Sequence, residues 1–397
     1  MKDVNIILPE YANPVPPIYG GAIEELIDII VQENRLENKV NLTVHVPVKD
    51  KETLKLLNEE KEFNYICVNS NFAKVFNIFI AVINKFLKLF HVNFIALNYY
   101  YLKIYLHLKN KETLIIFEGD YKNSVNFFSK KYGKENIYYH VHSQIIDKRD
   151  ITKDFGHLVS ISQFIEDDWK LFLGNSKIKY HVLKNSINKK KFLKTITKED
   201  YFDLRKKLGL NENDFVIIYC GRIIPEKGVY ELVSSLKSIE NSQIKLLIIG
   251  SPNFAIKSNT DYLNKVQQLI YSCKDRVKFT GYIPNNELYK YYQISNLQVV
   301  PSMWEEAAGL VAIEGMTSGL PLIVTNSGGL IEYVNQSCAI IVDRDEKLIN
   351  NLAENIEMLY NNNSLVDKMK KESLKRAEVF DKDIYYNDFI NIIQNNL

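Results

Sequence analysis

Two acids give the first chemical signal. Glu306 and Glu314 stand in the stretch PSMWEEAAGLVAIEGMTSGLP, from Pro301 to Pro321, with seven residues between them. Leu310, Val311, Ile313 and Met316 recur at roughly helical spacing. Glu306 is therefore expected in a loop just before a helix, and Glu314 about one to two turns inside it. Ala307, Ala308 and Gly309 are small enough for a ligand to reach the backbone. The N–H groups near Gly309, Leu310 and Val311 would be the unpaired donors of a helix start. Such a start suits phosphate, because its donors are free and its dipole end is positive. Two carboxylates beside a diphosphate could accept hydrogen bonds from hydroxyls. A plainer alternative stays open here, in which Glu306 is a solvated loop acid and Glu314 sits on the wet face of a surface helix.

Two cations give the second signal. The apolar run FVIIYC, Phe215 to Cys220, leads into GRIIPEKGVYELVSSL. Arg222 and Lys227, flanked by Gly221 and Gly228, fall in a strand-to-helix connection above the carboxyl edge of a sheet. Cations and glycines in that position suit a diphosphate, or they are surface charges around an ordinary turn. His142 is the third candidate. It follows IYYHV, Ile137 to Val141, and a strand's carboxyl end in an open α/β sheet faces the ligand crevice. His140 would point the same way but deeper. Near the start, Val4 to Leu8 reads as a buried strand. A loop ending at Gly20 and Gly21 follows, and then the amphipathic helix AIEELIDIIVQEN.

The elements that must hold these residues alternate strand and helix throughout. Further strands are expected over 41–48, 63–68, 113–117, 158–162 and 179–183 in the first half. In the second half they are expected over 245–250, 277–283, 297–302, 320–325 and 339–342. That repeat implies an α/β protein of two doubly wound parallel sheets with a cleft between them. The boundary is expected near 187–192, where the charged run Lys189 to Leu208 reads as helical. Domains of 1–187 and 188–382 follow, with a terminal helix of about 383–397 packing back on the first. Asn71 to Lys109 is rich in Phe, Tyr, Ile and Leu with scattered lysines. It reads as two helices that either cover the sheet or suit a membrane face or a lipid-linked acceptor.

Composition narrows the classes. At 397 residues the chain is long for one core. A hydrophobic fraction of 46% and a charged fraction of 25% are those of a globular protein, and a net charge of +2 argues against nucleic acid as a partner. The four cysteines show no CxxC and no metal-ligand spacing, so they read as thiols in a reducing compartment. No run of about 18 uncharged apolar residues occurs, and the apolar run at Val4 is too short for a signal peptide. A cytoplasmic protein is expected.

The order of these signals resembles the retaining GT-B glycosyltransferases of family 4, the bacterial polysaccharide type. The resemblance runs through GG near the start, GRIIPEKG, PS…E-x7-E and SGG…E, with VSISQFIEDD and LKNSIN in the first half. It implies that Arg222 and Lys227 bind the donor diphosphate and that Glu314 holds the ribose hydroxyls. Glu306 would touch the donor sugar, with backbone phosphate donors at Gly309, Leu310 and Val311. By the same resemblance His142 lies near the sugar, Gly20 and Gly21 form a loop that closes on the diphosphate, and Tyr282 and Ile283 contact the base. It implies no cofactor and no metal, and no DxD carboxylate pair stands where it could hold one. The implied reaction moves a sugar from a nucleotide diphosphate, a UDP-sugar foremost, onto a glycan or lipid-linked acceptor in surface polysaccharide synthesis. Peripheral contact with the inner face of a membrane goes with that setting. The chain departs from the family in having Ala307-Ala308 in place of Pro-Phe after the first acid and Gly315 in place of Ala after the second. Rival readings are an epimerase or phosphorylase on the same fold, or an accessory subunit without catalysis.

Overall fold

The computed structural model describes residues 1–15, 21–57, 60–89, 97–119, 124–145, 148–251 and 261–394. The chain divides into two compact units, Met1–Lys184 with Tyr385–Leu397, and Asn185–Ile384. Ile187 already belongs to the second unit, where it is buried in the core and its N–H bonds the Phe380 carbonyl at 3.1 Å.

The first unit is built on seven strands: β1 (Asp3–Ile7), β2 (Asn41–Val48), β3 (Phe63–Cys67), β4 (Leu114–Glu118), β5 (Ile137–Val141), β6 (His157–Ser160) and β7 (Lys179–Val182). They lie in the order β3-β2-β1-β4-β5-β6-β7, and every pairing is parallel. β4 and β5 are buried at every position, as strands covered on both faces must be. The second unit holds β8 (Phe215–Cys220), β9 (Ile244–Ile249), β10 (Val277–Gly281), β11 (Leu297–Val300), β12 (Leu322–Thr325) and β13 (Ala339–Val342). Their order is β10-β9-β8-β11-β12-β13, again all parallel. Each sheet reverses its winding once, between β1 and β4 and between β8 and β11, and ligand crevices form at such reversals.

Thirteen strands were expected from hydrophobic runs, and thirteen form at those places among the described residues. One helical expectation needs correction. Lys189–Lys191 makes a short 3-10 turn, and the α-helix begins only at Lys198. Thr197 supplies the reason, since its side chain caps the helix by accepting from the Asp200 N–H.

The helix Lys382–Gln394 completes the first core rather than the second. Tyr385, Tyr386, Phe389, Ile390 and Ile393 are buried against β1 and β2 residues and the helix Ala22–Glu37. The Tyr386 hydroxyl donates to Asn34 Oδ1 at 2.6 Å. Asn34 in turn exchanges two hydrogen bonds with the Val40 backbone. The segment is thus fixed by both apolar burial and a satisfied buried polar group.

Candidate functional site

In the second unit, the connection after β8 lies directly on the stretch after β11. Gly228 has φ +66° and caps the helix Val229–Ser238. A Cβ there would fall 1.8 Å from the Pro301 carbonyl oxygen, so only glycine permits the approach. The Met303 N–H bonds the Glu226 carbonyl at 2.8 Å and ties the two loops together.

That packing brings Lys227 to Glu306. Lys227 Nζ lies 2.6 Å from Glu306 Oε1, and Ser302 Oγ donates to the same oxygen at 2.5 Å. Glu306 is 8% exposed, and its backbone is held on both sides. Its N–H bonds Ser327 Oγ at 3.1 Å, and its carbonyl accepts from the Gly329 N–H at 2.6 Å. Lys227 Nζ also sits 5.5 Å from the centre of the Trp304 ring. A buried carboxylate is costly unless paired, and here a lysine and a hydroxyl both serve it. Arg222 lies in the same connection, half-buried, with its carbonyl accepting from the Tyr219 hydroxyl at 2.7 Å.

Glu314 stands apart from this cluster. It lies on the helix Leu310–Thr317, where its Oε2 accepts from the buried Tyr292 hydroxyl at 2.8 Å. Burial and the nearby Cys220 and Glu314 push the Tyr292 hydroxyl well above its ordinary pKa, so it stays a donor. Gly309 is the N-cap of that helix, and no side chain caps its first turn among the described residues. Gly315 has a packing reason. A Cβ there would meet Gln298 Oε1 at 1.8 Å, and Gln298 Nε2 donates to the Val311 carbonyl at 2.8 Å. The helix therefore rests on β11 through a glutamine, with no room for a methyl.

Tyr282 and Ile283 follow β10, two strands from β8. Tyr282 is 38% exposed, whereas Ile283 packs partly into the core. In the first unit, Gly21 is the N-cap of the helix Ala22–Glu37, and the Glu24 carboxylate folds back over the place where its Cβ would be. Gly20 lies outside the described residues.

His142 follows β5, as expected, but its partner carries most of the geometry. Glu118, the last residue of β4, accepts from His142 Nε2 at 2.5 Å. His140 Nδ1 lies 3.0 Å from the same carboxylate oxygen. Glu118 is 2% exposed. Burial pulls its carboxyl upward, yet the charges and hydrogen bonds of the two imidazoles outweigh this and hold it down at about 2. Burial, with His140 adding to it, pushes His142 below the ordinary histidine range, against the upward pull of Glu118. The ring is thus neutral at pH 7, donating from Nε2 and keeping Nδ1 as its acceptor.

Glu118, His140 and His142 also bring three potential metal-ligand atoms within 4.8 Å of one another, the one such group among the described residues. Sequence reasoning passed over Glu118, although the rule that singled out His142 applies to it equally. An acid at the carboxyl end of TLIIFE is the signal that could have found it. Ser302, Tyr292 and Gln298 carried no comparable signal, since only the packing reveals what they touch.

Residues 200–376 match the family model described as glycosyl transferases group 1. The Bacillus subtilis protein named putative glycosyltransferase YtcC is 30% identical over 176 residues, 44% of this chain and 43% of that protein. The Staphylococcus aureus capsular polysaccharide biosynthesis glycosyltransferase CapM is 34% identical over 177 residues, 43% of this chain and 42% of that protein. The chain thus spans less than half the length of these curated relatives. Among solved structures, Anabaena HepE in complex with UDP superposes with a TM-score of 0.70 at 16% identity, covering 99% of this chain and 100% of that one. That likeness shows the fold, and both units carry the Rossmann-like α/β architecture of GT-B glycosyltransferases. The match to the glycosyl transferases group 1 model thus falls within the second unit, while the likeness of fold runs through both units.

Proposed function

We propose that the protein is a retaining glycosyltransferase of the cytoplasm. It would take a sugar from a nucleotide diphosphate, a UDP-sugar first, to a glycan or lipid-linked acceptor in surface polysaccharide synthesis. One observation carries the reading: Lys227 and Glu306, remote in sequence, meet at 2.6 Å beside an uncapped helix start and the carboxyl edge of a parallel sheet. The named relatives support it, CapM through capsular polysaccharide and HepE through its complexes with UDP and UDP-glucose.

In this reaction the bond from the anomeric carbon to the diphosphate oxygen breaks, and its electron pair stays with the phosphate. The acceptor oxygen then bonds to the anomeric carbon on the same face, and its proton passes to the departing phosphate. Negative charge grows on the leaving group as the bond stretches. Lys227, Arg222 and the N–H groups of Gly309, Leu310 and Val311 are assigned to that charge, where they stabilise the transition state more than the ground state. Glu306 positions the sugar, Glu314 holds ribose hydroxyls, Tyr282 and Ile283 flank the base, and Gly20 and Gly21 take the loop role. His142, neutral and oriented by Glu118, is assigned to a sugar hydroxyl. No metal and no other cofactor enters this scheme.

The test is a panel of nucleotide sugars scored by thermal shift and slow hydrolysis, with wild type beside Lys227→Ala and Glu314→Ala. One nucleoside diphosphate should raise the melting temperature, and both variants should lose the shift. No response to any nucleotide in wild type sinks the proposal.

A further inference from the structure

The helix Asn71–Leu89 of the first unit turns a large apolar face to solvent. Phe72, Val75, Phe79, Val82, Phe86 and Leu89 are each at least 60% exposed. Their spacing of three and four residues keeps them on one stripe, an arc of about 100° at 3.6 residues per turn. An exposed apolar surface of this size is not ordinary for a soluble face.

The opposite side of the helix is firmly held. Ala73 is fully buried, and Asn77 Oδ1 accepts from the Tyr99 N–H at 2.8 Å. The Phe76 ring meets the Tyr99 ring edge-on at 6.0 Å, and Phe72, at the stripe's border, meets the same ring at 5.7 Å. The next helix, Tyr99–His107, is pinned to the sheet by Tyr100, whose hydroxyl lies within hydrogen-bond reach of the Leu8 and His45 carbonyls at 3.0 and 2.9 Å. The stripe is therefore presented on a fixed platform.

Charge selects what covers it. Residues 71–111 hold six lysines and no Asp or Glu, in a chain whose net charge is only +2. Lys74 and Lys85 are exposed and flank one edge of the stripe. Two copies paired through this helix would gain no opposite charges, and Phe at alternate seam positions is a poor choice for a helix pair. A basic amphipathic helix with Phe, Val and Leu on its apolar face matches an anionic lipid surface. No helix among the described residues is long and apolar enough to cross a membrane, so such a helix lies on the bilayer.

We propose that the helix Asn71–Leu89 docks in the plane of an anionic phospholipid surface, its apolar stripe in the interfacial layer and Lys74 and Lys85 among the headgroups. The inference rests on the lipid-linked acceptor reading and deepens it by naming the surface where that acceptor is met.

Flotation of the full chain with phosphatidylcholine vesicles, and with phosphatidylcholine–phosphatidylglycerol vesicles, tests it. Wild type should float with the anionic vesicles only. Phe79→Glu/Val82→Glu should abolish flotation, and Lys74→Gln/Lys85→Gln should weaken it by about fivefold per lysine removed, about 1 kcal/mol each. All four side chains point to solvent, so both variants should keep the wild-type melting temperature and its nucleotide response. Wild type absent from the floating fraction overturns the proposal, as does flotation unchanged by Phe79→Glu/Val82→Glu. A soluble dimer that this variant converts to monomer overturns it too, by giving the stripe to a second copy. Flotation without any nucleotide response would sink the donor reading and leave the membrane surface standing.

Discussion

Each unit places a buried glutamate against a basic side chain at the carboxyl edge of its sheet, and the two pairs differ in the base that each glutamate meets. In the second unit Glu306 meets the Lys227 ammonium at 2.6 Å. In the first unit Glu118 meets His140 and His142, and burial pushes His142 below the ordinary histidine range. The difference extends beyond these pairs. All seven histidines of the chain, from His45 to His181, lie in the first unit, and the second unit has none. One unit holds a fixed cation suited to a developing phosphate charge. The other holds a neutral donor and acceptor suited to hydroxyls.

Breaking the second pair should have the largest effect. Lys227→Ala removes the cation and leaves Glu306 buried with only Ser302, so turnover of a nucleotide sugar should fall by about 10²–10³-fold. Steady-state rates on the donor found by thermal shift check this, and a change under tenfold would remove Lys227 from the chemistry.

Breaking the first pair should cost stability before rate. Glu118→Gln keeps the shape but loses the carboxylate that both imidazoles face. It should cost about 1–3 kcal/mol, which is a drop of several degrees in melting temperature. Urea unfolding measures it, and an unchanged midpoint would mean that the Glu118–His142 bond is not formed in solution.

Acid should separate the two units. Burial brings His45 down to about 3 and His157 down to about 4, from a usual 6.5. For each the folded pKa lies below the unfolded one, so the unfolded state binds the extra proton. Their contribution to stability is complete above about pH 6.5 and is lost as pH falls toward 4 and 3. Glu118, held at about 2 against a usual 4.5, adds a loss in the same direction at lower pH. Amide exchange at about pH 5 should therefore quicken in residues 1–184 and stay slow in 185–384. Equal acceleration in both units would refute the contrast.

The smallest expected effect concerns metal. Chelator should leave donor turnover unchanged. A loss restored by a divalent ion would reassign Glu118, His140 and His142 as a metal site.

The same contrast explains what could be read in advance. Buried parallel strands are continuous apolar runs, so FVIIYC, IYYHV and TLIIF announced themselves and their order announced the winding. GRIIPEKG and E-x7-E were legible because the second unit packs two local segments against each other, with Gly228 where the chain meets the Pro301 carbonyl. The first unit gave His142 and the glycine loop at Gly20 and Gly21, but not the partner of His142. Its carboxylate partner comes from a neighbouring strand 24 residues away in sequence, a pairing that parallel register fixes and no local motif records. Glu314 shows a subtler limit. Its place in the helix was legible, but the Tyr292 hydroxyl beneath it was not, because that contact depends on how two helices rest on β11.

The helix Lys382–Gln394 bears on how the protein is made. On the ribosome, the first sheet is complete once β7 has emerged. Yet the pocket for Tyr385, Tyr386, Phe389, Ile390 and Ile393 stays open while the whole of Asn185–Ile384 is synthesised. Nascent domains usually close in the order they are translated; here the first must wait with apolar surface uncovered. Asn34 waits too, with its amide short of the Tyr386 hydroxyl. A ribosome stalled before residue 385 would display a second unit able to fold and a first unit that invites chaperones.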